Sequence, residues 1–165
     1  MAVPARSNFA YVLVAALGFL PALAAAQEMD WGVYRDRDHG CRLDFPRALF
    51  SPDPEEPGQP QRFSSTDENT YFRVMGAENR AGWTPEDIKE KYLSADMPGD
   101  ITYERTRGEF LVLSGYREGK IFYTKVAVSN DGRTACILDI TYPRPLKRRF
   151  DGIVTRMSRS FSASP

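Results

Sequence analysis

His39 is the only histidine in the chain, so any Ser-His or Cys-His arrangement has one candidate base. It sits in Arg35-Asp36-Arg37-Asp38-His39-Gly40, a charged stretch that reads as an exposed turn. A solvated imidazole is the expectation there, and the neighbouring thiol of Cys41 is better used in a disulfide. Adjacent carboxylates occur at Asp36/Asp38, Glu55/Glu56, Asp67/Glu68 and Glu86/Asp87. Glycoside hydrolysis needs two carboxylates facing each other across a cleft, which neighbours in a loop or a first helical turn do not provide. Asp36/Asp38 also lacks the ligand spacing of a calcium loop. Asp139 is the more informative acid, because it interrupts an apolar strand. A cross-strand pair with Lys125 or with an arginine explains it more simply than a ligand contact. There is no phosphate-binding glycine loop, no C-x-x-C and no G-x-S-x-G. The sequence therefore nominates no catalytic residue, no cofactor-binding residue and no metal ligand, and the expectation is a chain that is not an enzyme and carries no cofactor.

Binding chemistry has better candidates. Trp31, Tyr34, Tyr71 and Trp83 could line a pocket together with arginines. Arg148, Arg149 and Arg156 lie on the basic face of the last helix and could meet an anion, an acidic partner or lipid headgroups. Such a run is also simply the wet side of an amphipathic helix. Trp31, Tyr34, Trp83, Arg148, Arg149 and Arg156 are the candidate ligand or partner surface.

Residues 1–26 read as a secretory signal peptide. Arg6 is the only charge, Phe9 to Leu20 is apolar, Pro21 breaks the run, and Ala24-Ala25-Ala26 supplies small residues before a cut at Gln27. An uncleaved anchor is the alternative, since the run is marginally long enough to span a bilayer. The chain from Gln27 carries 22 acidic and 21 basic side chains, a net charge of −1. That balance argues against nucleic acid as a bulk electrostatic partner. The expected location is the periplasm or outside the cell, with no stable membrane insertion after cleavage and another envelope protein as partner. Two cysteines in an exported chain usually pair, so Cys41 and Cys136 are expected to form a disulfide, with two separate buried thiols as the alternative. The closed loop of 95 residues would contribute roughly 4–5 kcal/mol in the chain-entropy account.

The elements that would position these groups centre on residues 109–161. Arg117-Glu118-Gly119 and Asn130-Asp131-Gly132 read as hairpin turns. Three-residue loops with a left-handed Gly compete with two-residue Glu-Gly and Asp-Gly turns, which differ by one residue in register. In the second hairpin the three-residue loop puts Phe122, Val126 and Val128 on one face with Cys136, Leu138 and Ile140, and Lys125 opposite with Asp139. The two-residue loop puts Lys125 among Cys136, Leu138 and Ile140, so the three-residue loop is preferred. Leu111, Leu113, Ile121, Tyr123 and Ile137 then line the second face. A sheet apolar on both faces needs cover on both. Leu146, Phe150, Ile153, Val154, Met157 and Phe161 form one helical stripe after Pro143 and Pro145, with Gly152 unfavourable in its interior.

Earlier in the chain, Cys41–Phe45 reads as a strand stopped by Pro46. Residues 51–60 read as a surface loop, and Gln61 to Ala77 as a hairpin turning at Thr66-Asp67-Glu68-Asn69. Thr84-Pro85-Glu86-Asp87 starts a helix with Ile88, Tyr92 and Ala95 on its apolar side, ending near Pro98-Gly99. Ile101 to Arg107 is a further strand. The order is β-β-β-α-β-β-β-β-α: an α+β domain over 27–165 in which an antiparallel sheet of about six to seven strands has helices on its faces.

The strand ending in Phe45-Pro46, the helix opened by Thr84-Pro85-Glu86-Asp87, the antiparallel run and the last helix ending Arg159-Ser160-Phe161 resemble the Mog1/PsbP-like α/β/α sandwich. The chain also resembles small exported alphaproteobacterial proteins of the Bradyrhizobium kind. The resemblance implies a binding or assembly role and carries over no functional residue. Two functions follow as expectations: a non-catalytic binding or assembly module of the envelope, or a small-molecule binder or weak hydrolase.

Overall fold

A computed structural model describes residues 29–93 and 99–164. The expected signal peptide, and the end of the first helix with Ala95 and Pro98, lie outside the described residues.

The main sheet has seven antiparallel strands in the order β3-β4-β5-β9-β8-β7-β6. These are β3 (Ser51–Pro52), β4 (Gln61–Ser64), β5 (Tyr71–Glu78), β6 (Asp100–Arg107), β7 (Phe110–Arg117), β8 (Lys120–Val128) and β9 (Thr134–Pro143). A second, three-stranded sheet joins β1 (Trp31–Arg35), β2 (Cys41–Pro46) and β10 (Ser162–Ala163) in the order β1-β2-β10. Two helices complete the fold. α1 (Pro85–Ile88) continues as a π-helical turn, Lys89–Leu93, and α2 is Lys147–Ser160.

Local chemistry sets most boundaries. Thr84 caps α1 reciprocally: its hydroxyl accepts from Asp87 N, and the Asp87 carboxylate accepts from Thr84 N. Glu118 and Gly119 both have positive φ, 49° and 77°, so the β7–β8 turn is a two-residue type I′ turn with Arg117 opposite Lys120. Pro143 ends β9, and a 3-10 turn, Arg144–Leu146, leads into α2. Phe150, Ile153, Val154 and Met157 are buried along α2, followed by Phe161, as the stripe required.

Both faces of the main sheet are covered. α2 and β2 lie over one face, where Leu43, Phe72, Leu138, Ile140 and Met157 are fully buried and Phe63 stacks on Phe72 with ring centres 4.5 Å apart. α1 covers part of the other face, packing Ile88 with Leu111, Leu113, Phe122 and Val126. The Cys41–Cys136 disulfide is formed, with Cα atoms 5.8 Å apart, and ties β2 to β9. Gly76 lies opposite Cys136. A Cβ there would stand 2.5 Å from His39 Cβ and 2.7 Å from Cys41 Sγ, so the bridge packs against a strand position that only glycine leaves open.

The structure differs from the sequence reading in several places, among them two short strands it did not foresee, Ser51–Pro52 inside the expected surface loop and Ser162–Ala163 after the last helix. Trp31–Arg35 forms a strand despite its charges, because it pairs with β2 along its whole length, from Trp31 opposite Pro46 to Arg35 opposite Arg42. Cys41–Phe45 consequently belongs to the small sheet. The β8–β9 register is the one the sequence reading disfavoured: Lys125 is opposite Leu138, and Thr124 is opposite Asp139. Asn130, Asp131, Gly132 and Arg133 form the loop, closed by hydrogen bonds from Gly132 N to Ser129 O and from Ser129 N to Thr134 O. Ile121 and Tyr123 thereby join Leu138 on the α2 side, while Phe122 and Val126 face α1 with Leu111, Leu113 and Ile137. Lys125 tolerates the apolar side because its ammonium donates to Ser158 O at 2.7 Å and Phe161 O at 3.1 Å. These are carbonyls at the end of α2, where a cation is favoured.

Candidate functional site

The exposed side of α2 is an arginine ridge. Residues three and four apart on a helix are neighbours. Gly152 therefore has Arg148, Arg149, Thr155 and Arg156 around it, and Arg159 continues the line one turn on. All four arginines are exposed. Among the described residues none of them has an ion-pair partner, whereas Lys147 pairs with Asp151 at 3.0 Å. Among the described residues nothing outside the helix's own backbone stands within 4 Å of where a Gly152 Cβ would be. An interior helix glycine costs about 1 kcal/mol against alanine, and Arg159, three residues after Arg156, adds a like-charge penalty of a few tenths. Among the described residues the glycine has no packing neighbour outside its own helix, and of the arginines only Arg156 has a ring contact.

The small sheet flanks this ridge. The Arg156 guanidinium carbon lies 4.1 Å from the centre of the Trp31 ring, which makes the indole a platform at the edge of the ridge. Ser160 fixes β2 against α2: its hydroxyl accepts from Asp44 N at 2.9 Å, and its carbonyl accepts from Arg42 at 3.3 Å. An open groove of about 680 Å³ runs along the junction, lined by Asp44, Gly152, Thr155, Arg156 and Arg159 among others.

The remaining candidates lie apart. Arg148 and Arg149 belong to the ridge. Tyr34 does not join it: the ring meets Phe63 edge-on at 5.3 Å, and burial, then Asp36, Glu55 and Asp38, push its hydroxyl up to about 12. Trp83 packs by the Ile88 cluster on the other sheet face, with Lys91 Nζ 5.3 Å from its ring centre. The Tyr71 ring centre lies 4.5 Å from the Arg62 guanidinium carbon and 6.0 Å from that of Arg73. Beside it, a polar pocket of about 510 Å³ is lined by Asp53, Glu56, Gln59, Arg62, Ser64 and Arg73 among others.

Asp139 is 8% exposed and accepts from Arg73 Nη2 at 2.6 Å and Thr124 Oγ1 at 2.9 Å, while Arg117 Nη2 stands at 3.8 Å. Of the two partners foreseen for this acid, the arginine is the one present. His39 is half-buried rather than fully exposed, with Nδ1 3.5 Å from Asp36 Oδ1. No group of three side chains able to hold a metal ion occurs among the described residues, and no described helix is long and apolar enough to cross a membrane. Sequence reasoning left Arg159 and Gly152 out of the candidate surface. Gly152 lies four residues after Arg148, three after Arg149 and four before Arg156, and Arg159 lies three after Arg156, and that spacing was the available signal.

No family model matches the chain, and no curated protein matches it. Solved structures do. Cyanobacterial PsbP (CyanoP) from Synechocystis sp. PCC 6803 superposes with a TM-score of 0.62 at 13% identity, over 88% of this chain and 99% of that one. The Ran-binding protein Mog1p of Saccharomyces cerevisiae gives 0.57 at 9% identity, over 81% and 95%. LpqN of Mycobacterium tuberculosis, involved in cell envelope biogenesis, gives 0.50 at 13% identity, over 84% and 92%. At these identities the likeness is one of fold. With strands on both sides of a capped mid-chain helix and a final helix across the sheet, the chain has the Mog1/PsbP-like fold.

Proposed function

We propose that this protein is a non-catalytic docking module of the cell envelope, and that it binds an acidic surface of another envelope protein through the α2 ridge. The observation that carries the reading is the set of four exposed arginines without ion-pair partners among the described residues, gathered about an exposed helix glycine with open space above it. A glycine at the centre of the ridge lets a partner backbone approach closely, the arginines provide steering and forked hydrogen-bond donors for carboxylates, and Trp31 adds a flat apolar contact. LpqN, which shares the fold, is described as acting in envelope biogenesis, and the apolar N-terminal segment of this chain fits export.

The test compares the intact protein with the R148E/R149E/R156E variant, both immobilised and exposed to envelope extract of the native host. The expected result is a protein retained by the wild type, released by raised salt and absent from the variant. The same purified protein should then bind the wild type directly, at least tenfold more tightly than the variant. Equal retention and equal affinity would overturn the reading. The competing function, a small-molecule binder or weak hydrolase, is supported by the polar pocket beside Tyr71. A small molecule retained by the native protein and lost in R62A/R73A would favour it.

A further inference from the structure

The two edges of the main sheet are built differently. β3, at one edge, is two residues long and ends in Pro52. Short edges carrying proline are guarded against pairing. β6, at the other edge, is eight residues long, has no proline or lysine, and among the described residues pairs on one side only, with β7. All its residues are exposed, including Ile101 at 44% and Tyr103 at 49%. Its outer side therefore offers a row of backbone donors and acceptors, interrupted by a bulge between Ile101 and Tyr103.

The charges on β6 decide what can pair with it. Tyr103, Arg105 and Arg107 lie opposite Ser114, Val112 and Phe110 on one face. Glu104 and Thr106 lie on the other, where Lys89 pairs with Glu104. Arg105 and Arg107 have no ion-pair partner among the described residues. A second copy of the chain fits poorly. An antiparallel copy related by a two-fold axis normal to the sheet pairs residues symmetrically about one central residue. Centred on Glu104, it sets Glu104 against Glu104. Centred on Arg105, it sets Arg105 against Arg105, and centred on Thr106, it sets Arg105 against Arg107. Like charges directly opposite are destabilising. Centred on Tyr103, it runs into the bulge.

We propose that the outer edge of β6 is a strand-addition site that takes an extended segment of a different protein, with acidic side chains at alternate positions facing Arg105 and Arg107. Backbone hydrogen bonds supply affinity, and the Tyr103-Arg105-Arg107 row supplies register and selectivity. This surface is separate from the α2 ridge, and neither proposal depends on the other.

The experiment titrates the intact protein with three synthetic peptides while backbone amide shifts and hydrogen exchange are followed residue by residue. The probes are Thr-Glu-Val-Glu-Val-Glu-Thr, its Lys-for-Glu analogue, and the acidic peptide N-methylated at alternate residues. The acidic peptide should shift and protect amides of 100–107. The N-methylated peptide, equal in charge but short of donors, should bind at least tenfold more weakly, as should the lysine analogue. R105E/R107E should reverse the preference between the two charged peptides. Shifts confined to α2, equal binding of the N-methylated peptide, or a concentration-dependent dimer protecting β6 without peptide would each overturn the proposal.

Discussion

At the scale of single residues, room matters as much as contact. Gly76 is the clearest case, because a methyl group there would meet His39 Cβ and Cys41 Sγ at sub-van der Waals distance. Gly76→Ala should therefore destabilise the fold by about 1–3 kcal/mol, as overpacking does, read as a lower midpoint in urea with an unchanged slope. The sequence showed a glycine inside a strand and gave no reason for it. The reason is three-dimensional, since the crowding side chains come from residues 39 and 41. The phenol pKa values of Tyr34, Tyr123 and Tyr142 are all raised first by burial, those of Tyr34 and Tyr142 the most. Burial first, then nearby acids, push Tyr34 up to about 12; burial first, then Asp151 and Tyr116, push Tyr142 up to about 12. A raised phenol pKa stabilises the fold below the unfolded value near 10, and that stabilisation is lost as pH rises toward 12. Ultraviolet titration should thus show two phenols ionising about two pH units late, with unfolding free energy falling across that window. Ordinary titration of all tyrosines near 10 would contradict the packing of these two rings.

At the scale of elements, the helix stripe, the capping box and the hairpins were legible because each rests on local chemistry. The β8–β9 register was not. The side-chain pattern favoured keeping Lys125 off the apolar face, and the chain instead uses Lys125 to close the end of α2. Two carbonyls 33 and 36 residues away decide that register, and no local pattern contains them. β1 was missed for a related reason, since its strand character comes from β2 rather than from its own residues. The element with a functional reading is α2. Gly152→Ala should stabilise the isolated protein by about 1 kcal/mol, because the new methyl enters open space in a helix interior. It should also weaken partner binding, measured by titration calorimetry beside the thermal midpoint. Stabilisation with unchanged affinity would remove the glycine from the docking account.

At the scale of the molecule, the fold class, the cover on both sheet faces and the disulfide could be reasoned from composition and pattern. The division into two sheets could not, because it depends on β2 pairing with β1 and β10 rather than with the strands of the main sheet. The disulfide joins those two parts across 95 residues. Replacing Cys41 and Cys136 together by alanine should cost roughly 4 kcal/mol, seen as a fall in the denaturant midpoint that reductant reproduces in the wild type. A midpoint insensitive to both changes would mean the two sheets hold together without it.

The central claim, that the molecule docks through the α2 ridge, is tested most directly by site-specific photo-crosslinking in the native host. One protein would carry a photoreactive amino acid at Thr155, within the ridge. A second would carry it at Glu118, in the β7–β8 turn. The account predicts a discrete protein adduct from position 155, none from position 118, and loss of the first in the R148E/R149E/R156E background. An adduct from position 118 alone, or one from position 155 that survives charge reversal, would contradict it.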